Sequence, residues 1–185
     1  MPEIIPAVLE RSEEDLIRKV AQLPAESKYI HLDVLEEDVW APIEREFEAH
    51  IMVTEPDSVV GLWLSRGAKR IIVHKPETLQ PHSGVEMGLG IEMHAELNDE
   101  AISHADFVHL MSIDDIGAQG RPLDERIFDR IREVKAKFPG KTISVDGGIN
   151  ASNFQRLVDA GVDRLVVGSH FIEVYEAWTS QMKRS

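Results

Sequence analysis

Four side chains suited to metal binding and acid–base chemistry stand near the ends of strand-like runs: His31, Asp33, His50 and Asp146. Residues two apart on a strand point to the same side, so His31 and Asp33 project together. If that side is the inside of a barrel, two imidazoles and two carboxylates converge at its mouth. Such a set suits one zinc, iron or manganese ion and leaves room for a substrate to chelate. The plainer alternative is that each residue is a hydrogen-bonded polar group near a strand end.

A second group of polar residues and glycines lies further along the chain. Residues 142–149 have the character of a buried strand that ends in Asp146 and a double glycine, and Leu165-Val-Val leads into Gly168-Ser169. Asn150 can cap the helix between these two strands. In parallel α/β folds the carboxyl ends of the strands carry the chemistry, and bare backbone amides there can hold a phosphate. The stretch therefore predicts a phosphate-binding end of a site.

The elements that must position these residues alternate along the chain. The Ser12-Glu-Glu-Asp15 run has the form of a capping box and predicts a first helix behind it. Strands are predicted at residues 4–9, 29–34, 50–53, 70–74, 88–94, 107–113, 142–149 and 165–167. Helices are predicted at residues 57–66, 98–105, 123–138 and 173–182, whereas residues 36–49 read as a poor, acidic helix or a loop.

Eight strands that alternate with helix-length segments predict an α/β protein with a (β/α)8 TIM barrel, formed by one domain over residues 1–185. The chain is short for that fold, so some outer helices must be trimmed, most visibly after the fourth strand. An open doubly wound sheet is the alternative fold. It is disfavoured because no Gly-x-Gly-x-x-Gly run follows the first strand.

Composition excludes several classes of function. Lysine plus arginine number 20 and aspartate plus glutamate 33, which gives a net charge of −13 at pH 7 and disfavours nucleic acid and anionic membranes as partners. There is no cysteine, so neither disulfides nor thiolate chemistry are available. No segment reaches the length of a membrane span, and a cytoplasmic location is expected.

The motifs around these residues resemble those of the ribulose-phosphate 3-epimerase family, in the same order and at similar spacing. The matching runs are Ile5-Pro-Ala-Val-Leu9, Ile30-His-Leu-Asp-Val34, His50-Ile-Met-Val53, Leu110-Met-Ser112, Val145-Asp-Gly-Gly-Ile-Asn150 and Gly168-Ser169. The resemblance extends over nearly the whole chain. It implies a ribulose-phosphate-binding barrel that inverts C3 of a ketose phosphate, with D-ribulose 5-phosphate and D-xylulose 5-phosphate as the favoured pair.

The resemblance also implies a role for each site residue. It makes His31, Asp33, His50 and Asp146 the ligands of one divalent cation, and Asp33 and Asp146 the acid–base pair on opposite faces of the sugar. The residues that it assigns to the substrate and its phosphate are Ala7, Met52, Met111, Gly117, Gly147, Gly148, Gly168 and Ser169. It further implies that the chain assembles into a homo-oligomer.

Departures from the family pattern leave the substrate open. Ala7 stands where the family usually has serine, and the loop Asp114-Asp-Ile-Gly-Ala-Gln119 is shorter and more acidic than usual, which works against phosphate binding. An epimerase of another ketose phosphate, such as a hexulose 6-phosphate, is one alternative, and a non-catalytic barrel that binds metal or phosphosugar is another. A decarboxylase of the orotidine-phosphate type is disfavoured, because Leu35 occupies the position of its lysine.

The remaining polar residues receive less specific predictions. His82, His104 and His170 are predicted to lie at the surface, and His109 in the core. His74 ends the fourth strand and has either a structural role or a contact with substrate. Glu92 and His94 share one side of the fifth strand and are candidates to enter the barrel.

Overall fold

The computed structural model describes residues 1–114, 117 and 120–183. Its eight strands are β1 (Glu3–Val8), β2 (Tyr29–Val34), β3 (Glu46–Ile51), β4 (Arg70–Val73), β5 (Glu86–Ile91), β6 (Phe107–Met111), β7 (Thr142–Asp146) and β8 (Arg164–Val167). All neighbouring strands are parallel and pair in chain order, and β8 returns to pair with β1, which closes the barrel. The predicted (β/α)8 barrel is confirmed.

Alternate residues along each strand separate the barrel interior from the outer core, as the two-residue period of a strand requires. Ile5 on β1 joins Val166 on β8 in a small inner cluster, whereas Ile4 belongs to the large core under the helices. The rings of His31 on β2 and His109 on β6 stack across the barrel with their centroids 5.5 Å apart. The interior is therefore polar where these histidines meet.

The helices in the described part of the chain are α1 (Glu13–Gln22), α2 (Asp57–Ser65), α3 (Asp99–His104), α4 (Ile127–Lys137), α5 (Phe154–Asp159) and α6 (Phe171–Met182). The Ser12 side chain caps α1 by accepting a hydrogen bond from the backbone of Asp15, as its sequence predicts. Only a short 3₁₀ helix, Pro76–Thr78, lies between β4 and β5, which confirms the trimming there. None of the helices in these ranges has the length and apolar character needed to cross a bilayer.

The connection from β2 to β3 contains no helix. Instead, the Trp40 ring lies 5.2 Å from Phe47 on β3 and 5.4 Å from Trp63 on α2, measured between ring centroids. Arg66 binds Asp38 through two hydrogen bonds and lies over the Trp40 ring. This aromatic cluster covers the outer face of the barrel where a helix would otherwise lie.

The prediction for the third strand was wrong at its start. The strand begins at Glu46, four residues before the predicted start at His50. Its acidic residues break the hydrophobic pattern expected of a buried strand. Phe47 faces the outer core, but Glu48 is fully buried and binds Arg70 inside the barrel. A carboxylate with such a partner can occupy an interior position that hydrophobic periodicity assigns to an apolar residue.

Other predicted elements end earlier or begin later than their patterns indicate. Strand β5 stops at Ile91, and His94 beyond it is 63% exposed and pairs with Asp114 at 2.8 Å, so the prediction that His94 enters the barrel was wrong. Strands β6 and β7 end two and three residues early. Helix α4 begins at Ile127 because Asp124 first accepts a hydrogen bond from the backbone of Arg126 and forms a turn.

The amino-terminal end of the barrel is closed by an ion-pair network. Arg70 reaches Glu48 at 3.1 Å and Glu3 at 3.0 Å, and Arg164 reaches Glu86 at 2.7 Å. The Arg70 guanidinium also lies 3.8 Å from the centroid of the Tyr29 ring. These contacts fill the lower end of the barrel with paired charges, so the open end at the strands' carboxyl termini is left for a site.

The close contact between Gly88 and Phe107 inside the barrel allows a prediction about stability. A Cβ atom added at Gly88 on β5 would lie 2.4 Å from Cζ of the buried Phe107 ring, so Gly88→Ala should destabilise the fold by about 1–3 kcal/mol. Gly61→Ala is the matched control, because nothing lies within 4 Å of an added Cβ there and alanine favours a helix. Urea unfolding should show a loss for the first variant and none for the second. Equal stability of both variants would contradict this account of the interior.

Candidate active site

Four predicted donors converge at the carboxyl ends of β2, β3 and β7. Nε2 of His31 lies 3.2 Å from Nδ1 of His50, and Oδ1 of Asp33 lies 3.3 and 3.4 Å from these two atoms. Oδ2 of Asp146 lies 3.8 and 3.7 Å from the same two nitrogens. Around a four-coordinate zinc ion, bonds of about 2.0–2.2 Å place neighbouring donors about 3.3–3.6 Å apart. The spacing and the chemistry of these donors therefore fit one divalent cation.

Outer partners orient the two predicted histidine donors. His31 Nδ1 lies 2.7 Å from Oε1 of Glu48, and Glu48 is held in turn by Arg70. His50 Nε2 lies 2.8 Å from Nε2 of His74. Hydrogen bonds of this kind fix the tautomer of a histidine and leave its other nitrogen free to face a metal. Each predicted histidine ligand thus has one nitrogen bonded outward and one facing the donor cluster.

Glu48 is a site residue that the sequence prediction missed. It lies two positions before His50 and therefore on the same side of β3, which is the signal that could have found it. The misplaced start of the strand concealed that relation. For His74 the sequence left open a structural role or a contact with substrate. The structure places it beside His50, with Glu92 at 4.0 Å from its Nδ1 atom.

Burial and close contacts move the pKa values of the cluster apart. Burial opposes charge on His31, but the hydrogen bonds that charged His31 donates to Asp33 and Glu48 outweigh it and hold the pKa of His31 well above its usual value. Burial also opposes charge on Asp33, yet its contacts with His31 and His50 hold the pKa of Asp33 below its usual range. Burial raises the pKa of Asp146 to about 6, and the charge of Asp33 adds to this. Two carboxylates in one site therefore differ in proton affinity.

His109 lies closer to the donor cluster than a core residue needs to be. It is fully buried, as predicted, and its Nδ1 lies 3.1 Å from Oγ of Ser144. Its Nε2 lies 3.5 Å from Oδ2 of Asp146. One donor atom each from His31, His50, His109 and Asp146 lie within 4.8 Å of one another, so His109 is also a potential ligand.

A cavity of about 230 Å³ opens beside this cluster, and every residue that the resemblance assigned to the substrate lines its wall. Both Asp33 and Asp146 line it, although they come from strands on different sides of the barrel. The predicted substrate residues that line it are Ala7, Met52, Met111, Gly117, Gly147, Gly148, Gly168 and Ser169. The two carboxylates and the glycine-rich end thus share one space.

The glycine-rich end depends on close backbone contact. Gly148 has a φ of 64°, and a Cβ atom added there would lie 2.2 Å from the backbone nitrogen of Leu123. Any other residue would push this segment off the chain that follows β6. After the neighbouring strand β8, the Gly168 carbonyl accepts a hydrogen bond from the backbone of Phe171 at the start of α6. Both turns line the cavity.

Two basic side chains also line this end, and neither was predicted as a site residue. Arg121 lies just before Pro122, and His170 lies just after the Gly168-Ser169 pair. His170 is exposed, as predicted, with its Nδ1 atom 3.2 Å from Glu173, but it also faces the cavity. A basic residue next to a glycine turn is the signal that could have identified both.

The acidic loop after β6 is described only in part. Asp114 is 53% exposed, pairs with His94 and lies 3.6 Å from Arg126, outside the lining of the cavity. Asp115 and Gln119, which belong to the same prediction, lie outside the described residues. The effect of this loop on phosphate binding stays a prediction.

Solved structures share the barrel. The chain superposes on 3-hexulose-6-phosphate synthase from Salmonella typhimurium with a TM-score of 0.70 and 15% identity, covering 96% of this chain and 99% of that one. Phosphoribosyl anthranilate isomerase from Thermus thermophilus gives 0.64 and 12%, covering 98% and 100%. At these identities the similarity shows the fold alone.

Sequence comparisons are more specific. A protein named ribulose-phosphate 3-epimerase from Aquifex aeolicus is 32% identical over 152 residues, which cover 74% of this chain and 68% of that protein. One of the same name from Mycobacterium leprae is 24% identical and covers 91% and 87%. The sequence model of the "Ribulose-phosphate 3 epimerase family" matches residues 36–172. These matches confirm the predicted resemblance and the epimerase class: the chain belongs to the ribulose-phosphate 3-epimerase family.

Proposed function

We propose that this chain is a metal-dependent epimerase that inverts C3 of a ketose phosphate, with D-ribulose 5-phosphate and D-xylulose 5-phosphate as its substrate pair. The observation that carries the proposal is the placement of Asp33 and Asp146, which line one cavity beside the donor cluster. The names of the relatives support the choice of substrate. The cavity supports a small phosphorylated ligand, since glycine-rich backbone and basic side chains line it together.

His31, Asp33, His50 and Asp146 would hold the cation, which we propose to be zinc, iron or manganese. When bound, such an ion acts as a Lewis acid that stabilises negative charge on the oxygens next to the reacting carbon. The chain contributes the orientation of its donors through Glu48 and His74. It also keeps most of the cluster away from solvent, because His31 and His50 are fully buried.

The two carboxylates would move the protons. Inversion requires removal of the C3 proton from one face of the sugar and delivery of a proton to the other face. Asp33, whose pKa is held low by its histidine contacts, is charged and suited to accept the proton. Burial raises the pKa of Asp146 to about 6 in the metal-free cluster, so Asp146 has the higher proton affinity of the two carboxylates and is assigned the delivery of the proton. The reverse reaction exchanges the two roles.

The phosphate would bind beside the glycine turns that line the cavity. Backbone amides of Gly147, Gly148 and Ser169 are available there to donate hydrogen bonds. Arg121 adds positive charge to the cavity of a chain whose net charge is −13, and the His170 ring offers a further hydrogen-bonding group. Fixing the phosphate at one end orients C3 between the carboxylates at the other.

Asparagine variants of the two aspartates test the acid–base assignment. Asp33→Asn and Asp146→Asn should each lower the rate of epimerisation by roughly 10²–10⁴-fold, because each turnover needs both proton transfers. The metal content of each variant must be measured first, since either change removes a negative charge from the donor set. If a metal-loaded variant epimerises at close to the parent rate, that aspartate is not an essential acid–base group. A barrel that only binds metal and phosphosugar would show no turnover in the parent protein either.

Arg121→Gln tests the phosphate end. The loss of a charged hydrogen-bond donor should raise the Michaelis constant for D-ribulose 5-phosphate by about tenfold, equivalent to about 1.4 kcal/mol. It should have little effect on any turnover of unphosphorylated ribulose. Arg132→Gln is the control, because Arg132 lies on the outer helix α4, 75% exposed and paired with Asp129. An unchanged Michaelis constant for the phosphorylated sugar would show that Arg121 does not contact the phosphate.

A further inference from the structure

His109 is placed to reach the same cation from inside the barrel. It belongs to β6, opposite β2, and none of its surface is exposed. Its ring stacks on His31 with the planes 13° apart and meets the ring of His50 edge-on at 4.7 Å between centroids. Its Nε2 atom points toward Asp146, which belongs to the donor set already described.

The Nε2 atom of His109 has no hydrogen-bond partner among the described residues. Its 3.5 Å distance to Asp146 exceeds the roughly 2.7–3.2 Å of an N–H···O hydrogen bond. A buried polar atom without a partner costs free energy, commonly about 1–3 kcal/mol, unless another group satisfies it.

The surroundings of His109 repeat those of the two predicted histidine ligands. In each case the outer nitrogen has a partner: Glu48 for His31, His74 for His50 and Ser144 for His109. In each case the inner nitrogen faces the cluster. Outer partners of this kind accompany histidines that bind metals. We propose that His109 is an additional ligand of the cation, bound through Nε2, and that Ser144 orients its ring.

This inference rests on the proposed metal site and changes what the site offers to the substrate. With His109, the donors become three imidazoles and two carboxylates, so one position fewer is open to the sugar than with four ligands. A third imidazole also shifts preference toward zinc or cobalt and away from manganese, which carboxylates and water suit better.

The test compares metal binding by the folded parent protein, His109→Leu, Ser144→Ala and, as a reference, His50→Ala. Chelator competition should show that His109→Leu loses about tenfold or more in affinity for zinc and cobalt, and that Ser144→Ala loses less. The visible absorption of the cobalt-loaded His109→Leu variant should become more intense than that of the parent, because its coordination number falls. Unchanged affinity and spectrum in His109→Leu, with metal lost from His50→Ala, would overturn the role of His109 and leave the proposed function standing.

A measurement without a variant covers the case in which His109→Leu does not fold. The ¹⁵N resonance of His109 Nε2 in the parent protein should shift strongly when zinc is added, whereas that of the exposed His104 should not. A resonance of His109 that does not respond while zinc is bound overturns the inference. Failure of the parent protein to bind any divalent cation overturns both this inference and the proposed metal site.

Discussion

The structure of this barrel depends on partners that offset the negative charge of its buried carboxylates. Asp33, Glu48 and Asp146 all lie inside it, where an unpaired charge costs far more than in water. Arg70 compensates Glu48 from below, and His31 lies among all three carboxylates. The excess of acceptors around the inward-facing imidazoles of His31, His50 and His109 favours a cation at this point.

A chain of contacts connects the closed end of the barrel to the open one. Arg70 fixes Glu48, Glu48 fixes the tautomer of His31, and His31 faces the carboxylates that line the cavity. Each contact is short and buried, so its geometry has little freedom. A substitution in the ion-pair network at the amino-terminal end would therefore change the site by shifting the position of His31, although no residue of that network lines the cavity.

Local patterns predicted the barrel and the glycine turns of the cavity, whereas the resemblance to the family supplied most of the other lining residues, among them Ala7, Met52 and Met111. The period of a strand set His31 and Asp33 on one side, and the glycine motifs marked the turns after β7 and β8. Glu48 was missed because its polarity hid the start of β3. Contacts across the barrel follow only from its closure, so the sequence did not reveal that His109 on β6 would stack on His31 or that Arg121 would reach the cavity.

The most direct test follows the C3 proton in D₂O. NMR of D-ribulose 5-phosphate with the metal-loaded protein should show D-xylulose 5-phosphate forming with deuterium at C3. The formation of D-xylulose 5-phosphate and the incorporation of deuterium at C3 should both stop after chelation of the metal and resume when zinc, iron or manganese is restored. Absence of deuterium at C3 with metal-loaded protein, or exchange that continues undiminished after the metal is removed, would contradict a metal-dependent epimerase.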